Sequence, residues 1–434
     1  MRVISKLIAA CSALALAAVC AAPASADPPA SVLPRPGDVV GVGSDTIGYL
    51  LDQLSHDYNQ AHPNGATLLY SWDATDPATG QIGGPIQTKA GCNPIPRPDG
   101  SSAGIAALEA NIPDQVNPTD FCIDYAGSSR GPVAGDPGCT SGGICFVPVA
   151  GDAVTWASGD PAPGGTDAPA SLTRAQLKAI YQCHIRNWAK VGGKNAPIKP
   201  FLPDTSSGTR TFWLTALGGG STPIKPGGCV SDDHNTLQDN SGVAAVLNSP
   251  EAIVPYSVAD YIAQVYRDAP CGNPSCTGSP PCTPTAGQDM FGCDQHGVLG
   301  LGKIGGSEPM LPWPPPSPPC TGCKINQNFT PLFQRLVYAV VRDANTTDHI
   351  PAYLEPFFAA KTANPPGYIC TDPTALSDLA AYGFLRVSAS RGRPGALLAG
   401  SQCGVSHWRY SLRHPGGAGD SRAASTEGSG PEKR

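Results

Sequence analysis

The pattern of apolar and polar positions along residues 40–264 changes repeatedly between a strand-like and a helix-like period. Ile47, Leu50, Leu51 and Leu54 recur at helical spacing directly after a glycine-rich stretch. Residues 66–72, 121–130 and 145–158 are predicted to be strands, and the last run is apolar enough to be buried. Strands that alternate with helices in this way predict an α/β fold.

Further along the chain, Thr173 with Gln176 forms a capping-box pattern and predicts a helix that ends near Trp188. Residues 198–217 are predicted to form a strand, a Ser/Gly loop and a helix, and residues 238–264 a loop, a helix, a strand and another helix. Regular structure is expected again at residues 329–343 and 350–361.

Three loops share one design, in which small and hydroxyl residues open directly into a helix. Because the start of a helix carries unpaired N–H groups and a partial positive charge, it can bind an oxyanion. Serine and threonine are also ordinary helix caps, so one such loop is weak evidence. Their number favours an anion site, with a fourth polar turn at 128–130; the three loops are GSDT (43–46), GSS (100–102) and SSGT (206–209).

The first 26 residues have the features of a cleaved signal peptide. Arg2 and Lys6 precede an apolar stretch, and an Ala-Ser-Ala sequence at 24–26 is a typical cleavage site. Lipid attachment at Cys20 is less favoured, because the bulky Val19 precedes it. We therefore expect an exported protein.

Charge and cysteine content narrow the class of protein. The net charge of −6 becomes −8 once the two positive residues of the leader are removed, which argues against a nucleic-acid partner. Cleavage would leave 14 of the 16 cysteines, an even number that indicates disulfides in an exported chain. Residues 268–325 are rich in cysteine and proline and are predicted to be a disulfide-pinned insertion with little regular structure; residues 388–434 are predicted to be a disordered tail that Cys403 could anchor.

The order of these motifs resembles that of the phosphate-binding proteins (PstS-like) of ABC importers, which have the type II periplasmic-binding-protein fold. The resemblance covers residues 38–265 and, more loosely, 326–384. It depends on the order and spacing of several motifs, none of which is specific alone: GVGSDTIGYLLDQLSHDYNQ, DGSSAGI, DYAGSSRGP, LTRAQLKAIYQCHIRNW, PDTSSGTRTFW and DNSGVAAVLNSPEAIVPYSVADYIAQ.

The resemblance implies two α/β lobes with a ligand cleft between them. Lobe one would combine residues 27–145 and 254–387, lobe two would span 146–253, and the crossover strands would lie near 146–156 and 253–257. It implies capture of phosphate or a close oxyanion for an ABC permease by a monomer that is not an enzyme and needs no cofactor or metal. The candidate ligand-binding residues are Ser44, Asp45, Thr46, Ser101, Ser102, Arg130, Ser207, Gly208 and Thr209.

Three positions depart from the family pattern. Arg130 stands where the family has an aspartate that accepts the phosphate proton, Pro203 stands where it has an arginine, and Asp45 replaces a threonine. These departures could be coupled, with Arg130 as the cation and Asp45 as the proton acceptor, both facing the anion. Alternatively, Asp45 and Arg130 form a salt bridge, or Arg210 is the cation.

Other functions remain as alternatives. Two stretches fit the G-x-S-x-G pattern of serine hydrolases, at 100–104 and 127–131, but the first lacks a preceding strand and the second a following helix. Cys320 and Cys323 have metal or redox spacing, but in this context they favour a structural disulfide. A secreted surface or scaffold protein without a transport role would use the same fold.

Overall fold

The computed structural model describes most of the chain and confirms the α/β fold. The predicted signal peptide, residues 267–294 of the insertion and nearly all of the predicted tail lie outside the described residues. No helix in the described part of the chain is long and apolar enough to cross a membrane. The described residues are 27–28, 32–77, 81–115, 117–159, 165–266, 295–318, 320, 322–345, 349–359, 366–387 and 403–405.

Fifteen strands and eight α-helices occur in the described residues, in the following order. The strands are β1 (Val39–Gly43), β2 (Leu69–Ser71), β3 (Pro85–Ile86), β4 (Ile95–Pro96), β5 (Tyr125–Ser128), β6 (Ile144–Gly159), β7 (Ser171–Leu172), β8 (Lys199–Pro200), β9 (Ala252–Ser257), β10 (Leu299–Leu301), β11 (Lys303–Ile304), β12 (Met310–Leu311), β13 (Lys324–Ile325), β14 (Gln334–Arg342) and β15 (Leu385–Arg386). The helices are α1 (Asp45–Ala61), α2 (Ser101–Glu109), α3 (Arg174–Tyr181), α4 (Gly208–Leu217), α5 (Val258–Tyr266), α6 (Glu355–Phe358), α7 (Tyr368–Thr371) and α8 (Pro373–Ala381), with 3₁₀ helices at Trp188–Val191, Ala245–Leu247 and Pro331–Phe333.

The long strand β6 joins the two halves of the main sheet. Its first part pairs antiparallel with β14, and its last part pairs antiparallel with β9. The sheet runs in the order β2-β1-β5-β14-β6-β9-β8, with β10 and β15 also paired to β6. The strands β6 and β9 therefore lie where the crossover strands were predicted, although the lobe boundaries stay a prediction.

Helix α1 forms because its apolar stripe has a sheet to cover. Ile47, Leu50, Leu51 and Leu54 are all buried in the main core beside Val39 of β1 and Tyr125 of β5. Burial of this kind stabilises each side chain by about 1.5–3 kcal/mol. The helix thereby holds its first residue at the end of β1, where the candidate site begins.

The predicted capping box at Thr173 is confirmed, but the predicted end of that helix is wrong. The Thr173 hydroxyl accepts a hydrogen bond from the backbone N–H of Gln176, and the Gln176 side chain accepts one in return. Helix α3 ends at Tyr181, because Cys183 has a φ of 65° and is tied by a disulfide to Cys229. A backbone in the left-handed region cannot continue a right-handed helix.

Two further predictions of local structure need correction. The helix expected early in 238–264 is only the 3₁₀ turn at Ala245–Leu247. The described part of the 268–325 insertion has more regular structure than predicted, since β10 pairs with β6 of the main sheet, β11 pairs with β7, and β12 pairs with β13. Directly after β10, the backbone N–H of Gly302 donates to the carbonyl of Trp156 at 2.9 Å, and a Cβ atom at this glycine would overlap the indole ring. The insertion is therefore partly integrated into the fold.

Ten cysteines in the described residues form five disulfides, in agreement with the even count. Cys320 and Cys323 are bonded to each other, which confirms the structural interpretation of that pair. Cys403 is bonded to Cys370, so it anchors the start of the C-terminal segment as predicted. The others are Cys92–Cys122, Cys139–Cys145 and Cys183–Cys229.

Candidate functional site

The first two hydroxyl loops meet at the carboxyl end of the parallel strands β1 and β5. Gly43 pairs with Gly127 in register, and an isolated bridge joins Gly43 to Asp99, just before the second loop. The backbone N–H of Ser44 donates to the carbonyl of Gly127 at 3.1 Å. Parallel strands place their following loops at one edge of the sheet, where α/β proteins commonly bind ligands.

The third loop reaches the same place from the other side of the crossover strands. The backbone N–H of Ser102 donates to the carbonyl of Ser206 at 2.9 Å. A Cβ atom on Gly208 would lie only 2.4 Å from the hydroxyls of both Ser101 and Ser129. Only glycine at position 208 lets the two loops come this close, and the start of α4 therefore lies directly against the start of α2.

Five side chains from four parts of the chain form what we call the hydroxyl cluster: Thr46, Ser207, Thr209, Asp239 and Arg335. The hydroxyls of Thr46 and Thr209 are 3.2 Å apart. Asp239 accepts from Thr46 at 3.0 Å and from Ser207 at 2.7 Å. All five side chains are buried, so the hydroxyls of α1 and α4 share one carboxylate acceptor.

Arg335 provides the positive charge of this cluster. Its guanidinium donates to Thr209 at 2.9 Å, to Thr46 at 3.4 Å and to the carbonyl of Ser129 at 3.0 Å. It is also paired with Asp152 of β6 at 2.8 Å, and both side chains are almost fully buried. Asp152 therefore fixes the direction in which Arg335 points.

Asp152 is held in turn by the start of α5. Its carboxylate accepts hydrogen bonds from the backbone N–H of Ala259 at 3.1 Å and from the hydroxyl of Ser257 at 2.9 Å. Ser257 ends the crossover strand β9, and Asp152 lies in the crossover strand β6. The charged group of the cluster is thus fixed at the junction of the two halves of the sheet.

Asp45, Asp99 and Asp204 form a second group beside the hydroxyl cluster, which we call the carboxylate triad. One oxygen of each lies within 4.8 Å of the corresponding oxygens of the other two. Burial, aided by the charges of Asp239 and the other triad members, raises the pKa of Asp45 well above its ordinary value. Burial likewise raises the pKa of Asp99 to about 6 and that of Asp204 to about 7.

The triad lacks the partners that the hydroxyl cluster has. Within the described residues, both oxygens of Asp45, Oδ1 of Asp99 and Oδ2 of Asp204 are buried and have no hydrogen-bond partner. The backbone N–H of Asp239 lies near enough to Asp45 to oppose the rise in its pKa, but the two groups do not have the geometry of a hydrogen bond. Buried carboxylates without hydrogen-bond partners destabilise the folded protein, so the polar atoms of the triad are less completely satisfied than those of the hydroxyl cluster.

The structure brings most of the sequence-predicted site residues together. Ser44, Asp45, Thr46, Ser101, Ser207, Gly208 and Thr209 are all buried along the facing loops. Ser44 is the N-cap of α1 but makes no side-chain capping bond, and its hydroxyl has no partner among the described residues. Ser207 both caps α4 and donates to Asp239. Ser102 instead accepts a hydrogen bond from Arg130 at 3.1 Å.

The salt bridge between Asp45 and Arg130 that the sequence left open is not formed. Arg130 instead makes a two-pronged ion pair with Asp136, at 2.7 and 3.0 Å. Arg210, the other candidate cation, donates to the carbonyl of Pro203 and to Asp232. The coupling predicted between Asp45 and Arg130 therefore has no direct contact to support it, and the guanidinium that contacts Thr46 and Thr209 is that of Arg335.

The two G-x-S-x-G stretches do not form a hydrolase site in the part of the chain that the structure describes. The serines in the nucleophile position are Ser102, which accepts from Arg130, and Ser129, whose hydroxyl lies 3.3 Å from that of Ser101; no histidine is hydrogen-bonded to Ser102 or Ser129 among the described residues. No helix follows the second stretch, whereas α2 begins within the first at Ser101. A serine nucleophile needs an adjacent base, so these serines fit donor roles better.

Sequence reasoning missed Arg335, Asp152, Asp239, Asp99 and Asp204. Asp152 carries a signal, because it is the only charged residue of the otherwise buried strand β6, and Arg335 lies near the start of the largely apolar strand β14. Asp99 and Asp204 lie inside the quoted loop motifs, where the sequence offers no reason to separate them from other loop residues. A charge in a buried strand needs a partner, and that rule signals that Asp152 and Arg335 each require one without identifying it.

The described chain is a mixed α/β fold in which loops from distant parts of the sequence face one another at their helix starts. A family model described as the PBP superfamily domain matches residues 35–273, and the chain belongs to this superfamily. The resemblance to periplasmic binding proteins and the fold class predicted from the sequence are therefore confirmed. A search of curated proteins gives no significant match.

Solved structures with a similar fold have low sequence identity. An ABC-type phosphate transport receptor from Vibrio cholerae is 16% identical, with 80% of this chain and 99% of that chain covered and a TM-score of 0.45. A putative phosphate ABC transporter substrate-binding protein from Clostridium perfringens, with bound phosphate, is 15% identical, with 81% and 100% covered and a TM-score of 0.44. PstS from Borrelia burgdorferi is 18% identical, with 81% and 98% covered and a TM-score of 0.38.

Proposed function

We propose that this protein is an exported solute-binding protein that captures inorganic phosphate, or a close oxyanion, and delivers it to an ABC permease. It is a binding protein and not an enzyme. The observation that carries the proposal is the meeting of Arg335 with hydroxyls from two opposed helix starts, Thr46 of α1 and Thr209 of α4. A guanidinium, hydroxyl donors and helix N-termini together match the oxygens of a tetrahedral anion.

The hydroxyl cluster also contains the acceptor that phosphate needs. Near pH 7 phosphate carries a proton, and sulfate does not. Asp239 already accepts hydrogen bonds from Thr46 and Ser207, so it can accept one from the hydroxyl of a protonated anion after a small rearrangement. A sulfate oxygen in that position would face an unpaired buried carboxylate, at a cost of about 1–3 kcal/mol or more. We therefore assign to Asp239 the discrimination that the sequence assigned to Asp45.

Capture would use the two crossover strands as a hinge. The loops on either side are already joined by short contacts, such as that from Ser102 to Ser206, and these must separate to admit a ligand. Ligand oxygens would then take over the donors that Thr46, Thr209 and Arg335 now share. Closure of lobes around a ligand is a known form of domain motion, and the closed form is the one a permease would engage.

The direct test is calorimetry with phosphate, arsenate and sulfate between pH 6 and 8. We expect phosphate and arsenate to bind and sulfate to bind at least about 10-fold more weakly, since one unpaired buried carboxylate costs about 1–3 kcal/mol. Asp239→Asn should reduce the ratio of phosphate affinity to sulfate affinity, because an amide can donate a hydrogen bond to a sulfate oxygen.

Arg130→Ala is the matched control, since Arg130 is a buried arginine of the same cleft that pairs with Asp136 outside the hydroxyl cluster. Its effect on phosphate binding should stay within a few-fold. Absence of binding by all three anions would contradict the proposal and favour a scaffold role for the same fold.

A further inference from the structure

The three loops that open into helices each bring one carboxylate to a shared point. Asp45 is the first residue of α1, Asp99 lies two residues before Ser101, and Asp204 lies three residues before Ser207. Their converging oxygens are within 4.8 Å of one another. Three acidic groups this close in a buried place need compensation, because like charges at such distances repel strongly.

Protein groups supply only part of that compensation: the backbone N–H of Ser206 donates to Oδ1 of Asp204 at 2.6 Å, and the Gln238 side chain donates to Oδ2 of Asp99 at 3.3 Å. Asp45 is 4% exposed and Asp204 is 1% exposed, and each has at least one buried oxygen without a hydrogen bond in the described part of the chain. Among the described residues, no ion pair includes any member of the triad. The neighbouring Asp239 is itself acidic, and its charge raises the pKa of all three triad members. These oxygens are therefore available to a ligand that accepts electron pairs.

We propose that Asp45, Asp99 and Asp204 bind one divalent cation of the oxygen-preferring class, for which Ca²⁺ is the best match. All the ligand atoms are carboxylate oxygens, which suit calcium rather than metals that prefer nitrogen or sulfur. The converging oxygens lie within 4.8 Å of one another, a spacing that a single ion with calcium–oxygen distances of about 2.3–2.6 Å can span. The smaller Mg²⁺ would require closer approach and keeps more of its water.

The cation would join the two sides of the cleft. Asp45 and Asp99 precede the crossover strand β6, whereas Asp204 follows it and lies beside α4. Because Asp45 is adjacent to Thr46, the cation would also lie close to the hydroxyl cluster and offset its surrounding acidic groups. The cation site goes beyond the proposed function, since it is complete with or without a bound anion.

The test is calorimetry with CaCl₂ alone on the full exported chain, stripped with EDTA and held in phosphate-free buffer at pH 7.5. We expect one site per chain with a dissociation constant of about 10⁻⁴ to 10⁻³ M, typical of extracellular calcium modules. Asp204→Asn should weaken binding at least 10-fold, and Asp99→Asn, at the less buried position, should do so as well.

Asp52→Asn is the matched control. Asp52 is about as buried as Asp45 and lies on the same helix, α1, but it is not a member of the triad. It should leave calcium affinity within two-fold of the unsubstituted protein, while circular dichroism checks that every variant is folded. If Asp204→Asn does not fold, Asp99→Asn decides the question.

Two results would overturn the proposal: no heat and no rise in Tm with 10 mM CaCl₂, or unchanged affinity in the triad variants. Calcium binding in a protein that binds no oxyanion would support the cation site and contradict only the proposed function.

Discussion

The hydroxyl cluster and the carboxylate triad are neighbouring groups that both include residues at or just before the starts of α1 and α4, yet their polar atoms differ in how completely they are hydrogen-bonded. In the hydroxyl cluster, Arg335 pairs with Asp152, and Asp239 accepts from two hydroxyls. In the triad, four carboxylate oxygens have no partner among the described residues. Both groups are buried, so exposure does not explain the contrast.

The difference indicates two kinds of ligand position. A satisfied polar network keeps its shape without a ligand and can exchange its internal bonds for those of an anion. An unsatisfied group of carboxylates lowers stability until a cation or protons neutralise it. The comparison therefore predicts that substitutions in the two groups will have opposite consequences.

The largest effect is expected from removing the charge of the hydroxyl cluster. Arg335→Ala should weaken phosphate binding at least about 100-fold, since hydrogen bonds to charged groups contribute roughly 1.5–3 kcal/mol each. It should also lower the free energy of unfolding by about 3–5 kcal/mol, because Asp152 would be left buried without its partner. The phosphate affinity and the stability of Arg335→Lys should lie between those of the unsubstituted protein and Arg335→Ala. Lysine keeps the charge but has fewer donors in a different geometry. Phosphate calorimetry and urea denaturation measure the two effects, and an Arg335→Ala protein with unchanged affinity would contradict the assigned role.

Aspartate-to-asparagine substitutions in the two groups should change the free energy of unfolding in opposite directions. In EDTA at pH 8, Asp45→Asn should raise the free energy of unfolding by about 1–3 kcal/mol, because it removes a buried charge that has no partner. Asp152→Asn should lower it by about 3–5 kcal/mol, because Arg335 would then be an uncompensated buried charge. Urea denaturation of the two variants measures both. Destabilisation by Asp45→Asn under these conditions would show that Asp45 already has a partner.

The smallest effect concerns Asp52 and Asp73, a buried acidic pair outside both groups. Burial, followed by the charge of Asp73, raises the pKa of Asp52 well above its ordinary value, and burial raises the pKa of Asp73 to about 7. Because these pKa values are raised in the folded state, the folded protein binds more protons than the unfolded one between about pH 4 and 7. Stability should therefore fall as pH rises through that window.

Asp52→Asn tests this effect. Losing one titrating group should flatten the slope by up to about 1.4 kcal/mol per pH unit, measured by urea denaturation at several pH values in EDTA. An unchanged slope would mean that the pair does not hold a proton.

The sequence was sufficient for the parts of the site that depend on local pattern. The apolar stripe of α1, the capping box at Thr173 and the hydroxyl loops are local signals, and the structure has each of them. The meeting of Thr46 with Thr209 needed only the expectation of two facing lobes. Local chemistry and fold class therefore predicted which loops meet.

Local patterns could not identify Arg335 as the positive charge of the hydroxyl cluster, because its partner Asp152 is 183 residues away in the chain. Which residue of β14 faces which residue of β6 depends on the register between the two strands, and that register shifts between Val337 and Tyr338. Arg130 was the nearer candidate in the motif, but Asp136, six residues further on, pairs with it. A short loop can satisfy a charge locally in a way that motif alignment does not reveal.

The triad was missed for a different reason. Asp99 and Asp204 both follow a proline and precede a Ser-Ser pair two residues later, in PDGSS and PDTSS. In a loop, an aspartate before serines is most simply interpreted as a turn or cap residue. Only the bridge between Gly43 and Asp99 and the facing of the second and third loops bring the carboxylates together.

The close approach at Gly208 gives a simple rule for comparing related chains. No side chain can be added there without pushing apart the loops that carry Ser101 and Ser129. A relative with alanine or anything larger at the equivalent position must hold these loops farther apart. Residue 208 is therefore a single-letter marker of whether a homologue can bring the loops as close together as they are in this protein.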